Sequence, residues 1–156
     1  MPLPLDSELP SLATATDWYN GPVTAEAEGV TLVHFWSVSC GICGEQMPQV
    51  NRLRDTWAAR GLRMVAVHKP LHEKDTDLTR VEASIQSHEL RHPVAVDNTH
   101  ALSDAFHNDQ GVPEFFLFDA HRRLRLNVVG DQGLDSLEKM IALLTRAAQL
   151  EAQPRV

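Results

Sequence analysis

Val30-Thr31-Leu32-Val33-His34-Phe35-Trp36, followed at once by Ser37-Val38-Ser39-Cys40-Gly41-Ile42-Cys43, is the stretch on which the reading of this chain turns. Its first half is β-branched and aromatic, as expected of a strand buried on both faces, and it ends at Ser37. Beyond the cysteines, Met47, Val50, Leu53 and Trp57 recur at three- and four-residue intervals and Gly61 supplies a stop, which predicts an amphipathic helix. Pro48 falls in its early turns, where it removes a backbone hydrogen bond and bends the helix. Two cysteines thus stand between a buried strand and the start of a helix.

Working outward, Leu62 to His68 contains Met64-Val65-Ala66-Val67 and reads as a second buried strand. A helix with Leu78, Val81 and Ile85 on one face follows it. Val94 to Val96 reads as a short strand and Ala101 to His107 as a short helix. Glu114 to Phe118 and Leu124 to Val129, joined by the turn-like Asp119-Ala120-His121-Arg122, predict an antiparallel hairpin. A last helix follows Gly130, with a capping-box-like start at Asp135 and Glu138 and a buried face of Leu137, Ile141, Leu144 and Ala148. A βαβ unit, a hairpin and a closing helix give an α/β class, a mixed central sheet with helices on both faces.

The 156 residues fit one domain that can bury a core without staples. Hydrophobic residues make up 43% and charged residues 22%, which excludes wholesale disorder and a membrane-embedded body. A formal charge of -7 speaks against nucleic acid, whose phosphates call for clustered Lys and Arg. The stretch from Met1 to Gly21 has neither a basic region nor an apolar run and is not a signal peptide. No segment is apolar for long enough to insert stably in a membrane. If complete, the chain is expected in the cytoplasm; one trimmed of an export signal would read the same and be exported or periplasmic. Residues 1–13, rich in proline, are expected to be a flexible or loosely docked arm, 14–150 the folded domain, and 151–156 a tail.

Two cysteines cannot make the disulfide scaffold of a small secreted domain, so their chemistry needs the explanation. At a helix entry, unpaired backbone N–H groups and the helix dipole favour thiolate over thiol, lowering the pKa from about 8.5 into a range of roughly 3.5 to 7.5. Cys40 is therefore the expected nucleophile. Cys43, one turn further in and buried, is placed to attack the resulting mixed disulfide. Two other readings are weighed against this. Both cysteines could be inert core residues, but a CxxC beside a βαβ pattern is itself the redox signature. A metal site completed by His68 and His72 has ligand-like spacing, yet their distance from Cys43 does not match a short zinc loop.

Gly111-Val112-Pro113-Glu114 immediately precedes a strand, a place that tolerates proline. Phe35-Trp36, Cys40-Gly41-Ile42-Cys43, Met47-Pro48 and Gly111-Val112-Pro113 before Phe115-Phe116-Leu117-Phe118-Asp119 together resemble the thioredoxin superfamily, most closely its TlpA/ResA-like branch. The resemblance spans roughly Val30 to Leu150. It implies a thioredoxin fold, Cys40 as attacking thiol, Cys43 as resolving thiol, Pro48 as the helix-kinking proline and Pro113 as a cis-proline beside the disulfide. It implies also that the backbone of Val112 pairs with a bound substrate chain, with Gly41 and Ile42 at the same docking surface.

The chain departs from the family in Ser39, where a large residue such as Trp is common, and in Gly41-Ile42, where Gly-Pro or Pro-Pro is frequent. The second change restores a backbone N–H near the sulfurs. His34 occupies the position six before the first cysteine, where thioredoxin has an acid. A histidine in a buried strand is ordinarily a hydrogen-bonded core residue; here the alternative is a catalytic role, as base for Cys43. Glu73 is the weaker match to an acid near the site in the ResA-like group. Trp36 and Trp57 read as core, and His88, His92, His100, His107 and His121 as scattered surface residues.

The expected activity is dithiol-disulfide exchange, in which thiolate Cys40 attacks a substrate disulfide and Cys43 releases the product. No cofactor and no metal are called for. The expected partners are disulfide-containing protein substrates and a reductase or small thiol, and a monomer is expected. A thiol peroxidase, in which Cys40 passes through a sulfenic acid, and a metal-binding module built on the same pair are the alternatives.

Overall fold

In the computed structural model, which describes residues 1–153, the chain forms β1 (Asp17–Tyr19), β2 (Val30–Trp36), α1 (Gly41–Trp57), β3 (Leu62–His68), α2 (Leu78–Ser87), β4 (Val94–Val96), α3 (Ala101–Ala105), β5 (Glu114–Phe118), β6 (Leu124–Val129) and α4 (Leu134–Ala152). One six-stranded sheet has the order β1-β4-β3-β2-β5-β6. The pairs β2–β3 and β3–β4 are parallel; β1–β4, β2–β5 and β5–β6 are antiparallel. The mixed sheet and the hairpin are those expected. The short strand β1 carried too few residues to be read from pattern.

Strand β2 lies at the centre of the sheet and is buried at every position, which explains its lack of polar alternation. Side chains of a strand alternate between faces. Leu32 and Trp36 join Met47, Val50 and Leu53 of α1, Val81 and Ile85 of α2, and Leu137, Ile141 and Leu144 of α4 in one core. Val33 and Phe35 point the other way, into a second core with Phe106, Phe116, Phe118 and Leu124. Helices do lie on both faces, unequally: among the described residues the second core has only the five-residue α3 above it.

That shortage explains a difference at the N-terminus. The segment expected as a flexible or loosely docked arm is tied to the β5–β6 hairpin by Asp6 N–H to Leu124 O, 2.9 Å, Leu9 N–H to Arg122 O, 2.8 Å, and Leu124 N–H to Ser7 O, 2.9 Å. Leu9 and Leu12 are buried in the second core, covering aromatic surface that α3 is too short to reach.

Helix α1 continues through Pro48 to Trp57, and a 3-10 turn over Ala58–Arg60 ends at Gly61 with φ of 102°, the left-handed conformation glycine adopts without steric cost. Helix α4 begins at an N-cap of Gly133 with no side-chain cap, so Asp135 and Glu138 do not form the expected box. Glu138 is instead taken by tertiary structure: its Oε2 accepts from Trp57 Nε1 at 2.9 Å. The tail expected over 151–156 belongs to α4 as far as Ala152; 154–156 lie outside the described residues.

Candidate active site

Cys40 is the N-cap of α1, with extended backbone angles, and Cys43 sits in the first turn. The two are joined as a disulfide. The Cys40 sulfur accepts the backbone N–H of Cys43 at 3.1 Å, doing what a Ser or Asp oxygen does at an ordinary N-cap. Cys40 is half-buried while Cys43 is only 1% exposed, so a partner molecule can reach one sulfur and not the other. The Val112–Pro113 bond is cis, and the Val112 carbonyl oxygen lies 3.8 Å from the Cys40 sulfur. Gly41 and Ile42 are exposed beside the pair.

The segment between β2 and Cys40 is held at each of its residues. Ser37 Oγ donates to Asp75 Oδ2 at 3.4 Å, Val38 N–H donates to His68 Nε2 at 3.2 Å, and Ser39 Oγ donates to Asp75 Oδ1 at 2.6 Å. Asp75 is wholly buried and also accepts the Leu71 and His72 amides and the Arg80 guanidinium. Burial alone would raise its carboxyl, but hydrogen bonds from Ser39, Leu71, His72 and Arg80 outweigh that and hold it at about 2. His68 is lowered to about 4 by burial, against an opposing pull from Asp75. Since His68 Nε2 accepts from Val38, its proton is on Nδ1, and the ring packs edge-on against Trp36 at 4.9 Å.

Behind the cis-proline loop lies a second buried network. Lys69 Nζ donates to Asn108 O and Oδ1 at 2.9 and 2.7 Å, and Asn108 Nδ2 donates to Gly111 O and to Glu114 Oε1. Asn127 Nδ2 donates to Glu114 Oε2 at 2.9 Å. Burial raises the Glu114 carboxyl, and the two asparagines pull it back.

Residues 6–127 match the AhpC/TSA family. The chain belongs to that family. Among its relatives, the thiol-disulfide oxidoreductase YkuV of Bacillus subtilis (strain 168) is 41% identical over 140 residues, which cover 88% of this chain and 93% of that protein. The thiol-disulfide oxidoreductase ResA of Bacillus thuringiensis subsp. konkukian (strain 97-27) is 27% identical over 77% of this chain and 65% of its own length. A thioredoxin-like protein solved in solution in its oxidized form superposes with a TM-score of 0.82 at 38% identity, over 93% of this chain and 99% of that one. This AhpC/TSA-family chain has a thioredoxin-like fold and is a thiol:disulfide oxidoreductase acting on disulfide-containing substrates.

Of the residues picked out in the sequence, this member of the AhpC/TSA family brings together Cys40, Gly41, Ile42, Cys43, Val112 and Pro113. His34 is buried on the α1-facing side of β2, and its Nε2 lies 2.9 Å from Nε2 of His92. His92, expected on the surface, is 5% exposed; the loop before β4 carries it into the interior, against His34. Glu73 is exposed, and the acid beside the site is Asp75, two residues on. His68 and His72 are not drawn to the cysteines as a ligand set: His68 serves the Val38 amide and His72 is exposed at the start of a 3-10 turn. Gln46, also missed, is 6% exposed one turn after Cys43, and neither of its amide atoms has a partner among the described residues. Nothing local distinguished it from a surface glutamine.

No helix among the described residues is long and apolar enough to cross a membrane.

Proposed function

We propose that Cys40 is the attacking thiol and Cys43 the resolving thiol of a dithiol-disulfide exchange. The observation that carries this reading is the Cys40 sulfur's place as acceptor at the N-cap of α1, where the Cys43 N–H and the positive end of the helix favour the thiolate. In the forward direction the Cys40 thiolate forms a bond to one sulfur of the substrate disulfide and the other leaves as thiolate. Cys43, deprotonated, then attacks Cys40, releasing the second substrate sulfur and leaving the enzyme oxidised. A reductase or small thiol returns the pair to the dithiol; run backwards, the same steps oxidise a substrate.

Docking is assigned to the rim around Cys40. The Val112 carbonyl is close enough to the sulfur to align an extended peptide, and Ile42 and Val129, each 48% exposed, give apolar surface for neighbouring side chains. Both cysteines and the rim come from one chain, so a monomer suffices. Cytoplasm is the compartment we favour, because the chain's only two cysteines are the reactive pair and no structural disulfide stabilises it.

His34 is assigned a supporting part in resolution. The Arg54 guanidinium donates to His92 Nδ1 at 3.2 Å and has no acceptor of its own, so His92 carries its proton on Nε2 and donates it to His34 Nε2. His34 is then protonated on Nδ1, able to donate to a developing thiolate rather than ready to take its proton.

The test is the pair of single variants. Cys40→Ser abolishes exchange with an insulin or glutathione disulfide, whereas Cys43→Ser retains the first attack and accumulates mixed disulfide. Trapping through Cys40→Ser instead of Cys43→Ser would reverse the two roles.

A further inference from the structure

Asp75 stands outside every step described so far, yet a wholly buried carboxylate with five donors is bonded to the residue next to the nucleophile. Resting on the reading of Cys40 as attacking thiol, we propose that Asp75 and Arg80 form a charge pair that sets the acidity of Cys40 through the Ser37-Val38-Ser39 segment.

The geometry supports more than packing. The Ser39 hydroxyl approaches Asp75 Oδ1 at 2.6 Å, the short distance of a charge-assisted bond, so the carboxylate is ionised and its negative charge is transmitted to the residue bonded to Cys40. That charge is partly compensated by Arg80 Nη1 at 3.1 Å on the same oxygen, from α2. The Arg80 side chain is 41% exposed while Asp75 is enclosed, so the anion is fixed and the cation is held at the solvent boundary. The other charged or titratable groups facing Asp75 are His68 on β3, which burial keeps neutral above about pH 4, and His72, which meets it through its backbone amide. Around Cys40 itself the α1 N-terminus favours thiolate, and the charged groups Lys69 and Glu114 stand behind the loop whose Val112 carbonyl meets the sulfur, unchanged by substitution at Asp75 or Arg80.

Two opposing fields therefore act on one sulfur. The helix end lowers the thiol pKa, a carboxylate nearby raises it, and Arg80 offsets the carboxylate. This arrangement keeps the thiolate from becoming too stable a leaving group. A thiol of very low pKa gives a strongly oxidising pair because its reduced form is stabilised, and it is also a weaker nucleophile. Ser39 has a reason to be there on this view: a bulky apolar residue in its place could not carry the bond to Asp75.

The pair makes predictions of opposite sign. Asp75→Asn keeps an oxygen that can accept from Ser39 but removes the negative charge, so the Cys40 pKa falls, by up to about one unit, and the dithiol becomes more oxidising. Arg80→Gln uncovers the carboxylate, so the Cys40 pKa rises and the pair becomes more reducing. The measurement is the pH dependence of iodoacetamide labelling of the reduced full-length protein, with the labelled cysteine located by peptide mapping, alongside the equilibrium with a glutathione redox buffer. Opposite shifts in the two variants support the charge pair; a loss of packing alone would move both in the same direction or neither. If Asp75→Asn does not fold, the partly exposed Arg80 still decides, since a folded Arg80→Gln protein with an unshifted labelling profile overturns the proposal. First labelling at Cys43 would sink the underlying assignment of the nucleophile, whereas first labelling at Cys40 with an invariant profile sinks the charge pair alone.

Discussion

The imidazoles of His34 and His92 meet Nε2 to Nε2 at 2.9 Å in the interior, the first on β2 and the second in the loop before β4. Burial lowers His34 to about 3, and burial, the neighbouring His34 and Arg54 lower His92 well below the ordinary histidine value. Both rings are thus neutral in the fold, and the contacts agree: His92 accepts from Arg54 on Nδ1 and donates from Nε2 to His34 Nε2, so each ring carries one proton.

Stability should therefore decline on mild acidification. Below the ordinary value of 6.5 the unfolded chain binds protons that the fold refuses down to about 3 for His34 and about 4 for His68. In that window the unfolded state holds more protons, so the contribution is complete above pH 6.5 and is lost as pH falls, by up to about 1.4 kcal/mol per pH unit for each histidine. Asp75, held at about 2, adds its own loss only below its usual 3.8, so an onset above pH 4 belongs to the histidines. Urea melts between pH 7.5 and 4 should show the decline, and the double variant His34→Leu/His92→Leu should make it shallower, leaving the part that belongs to His68.

The His34 ring is predicted to influence resolution more than attack. His34→Leu should slow release from a preformed Cys40 mixed disulfide several-fold and change its pH dependence, with the initial attack much less affected; His34→Asp, which puts an acceptor where the ring donates, should not recover the rate. Rapid-quench kinetics across pH on folded variants would show it, and an unchanged resolution step would leave His34 as a core residue only.

Asn108 ties Lys69, Gly111 and Glu114 together behind the loop that presents Val112. Asn108→Ala leaves the buried Glu114 carboxyl short of a donor and should cost about 1–3 kcal/mol in a denaturation midpoint. It should also raise KM for a peptide disulfide more than it lowers kcat, since the loop that docks the substrate loosens while the cysteines stay in place.

The N-terminal segment is predicted to be part of the folding unit. Leu12, 1% exposed in the second core, should cost about 2–5 kcal/mol when replaced by alanine. Leu5, 68% exposed, should be nearly silent, and equal effects at the two positions in a chemical melt would contradict the packing seen here.

The strand Val30–Trp36, the helix after Cys43 and the β5–β6 hairpin were legible because each announces itself by residues a few positions apart: an apolar run, a three-to-four spacing, a turn between two strand-like segments. The reactive pair was legible for the same reason, its meaning lying in a spacing and a place at a strand–helix junction. What the cysteines are surrounded by was not. Asp75 reaches Ser39 across 36 residues and His92 reaches His34 across 58, contacts created by the sheet order β4-β3-β2 rather than by any local pattern. The sequence by itself determined the chemistry that Cys40 and Cys43 can perform. Only the tertiary structure decided which acid stands beside them, which histidines are neutral and why the N-terminal leucines are buried, because burial and charge depend on neighbours that chain order does not reveal.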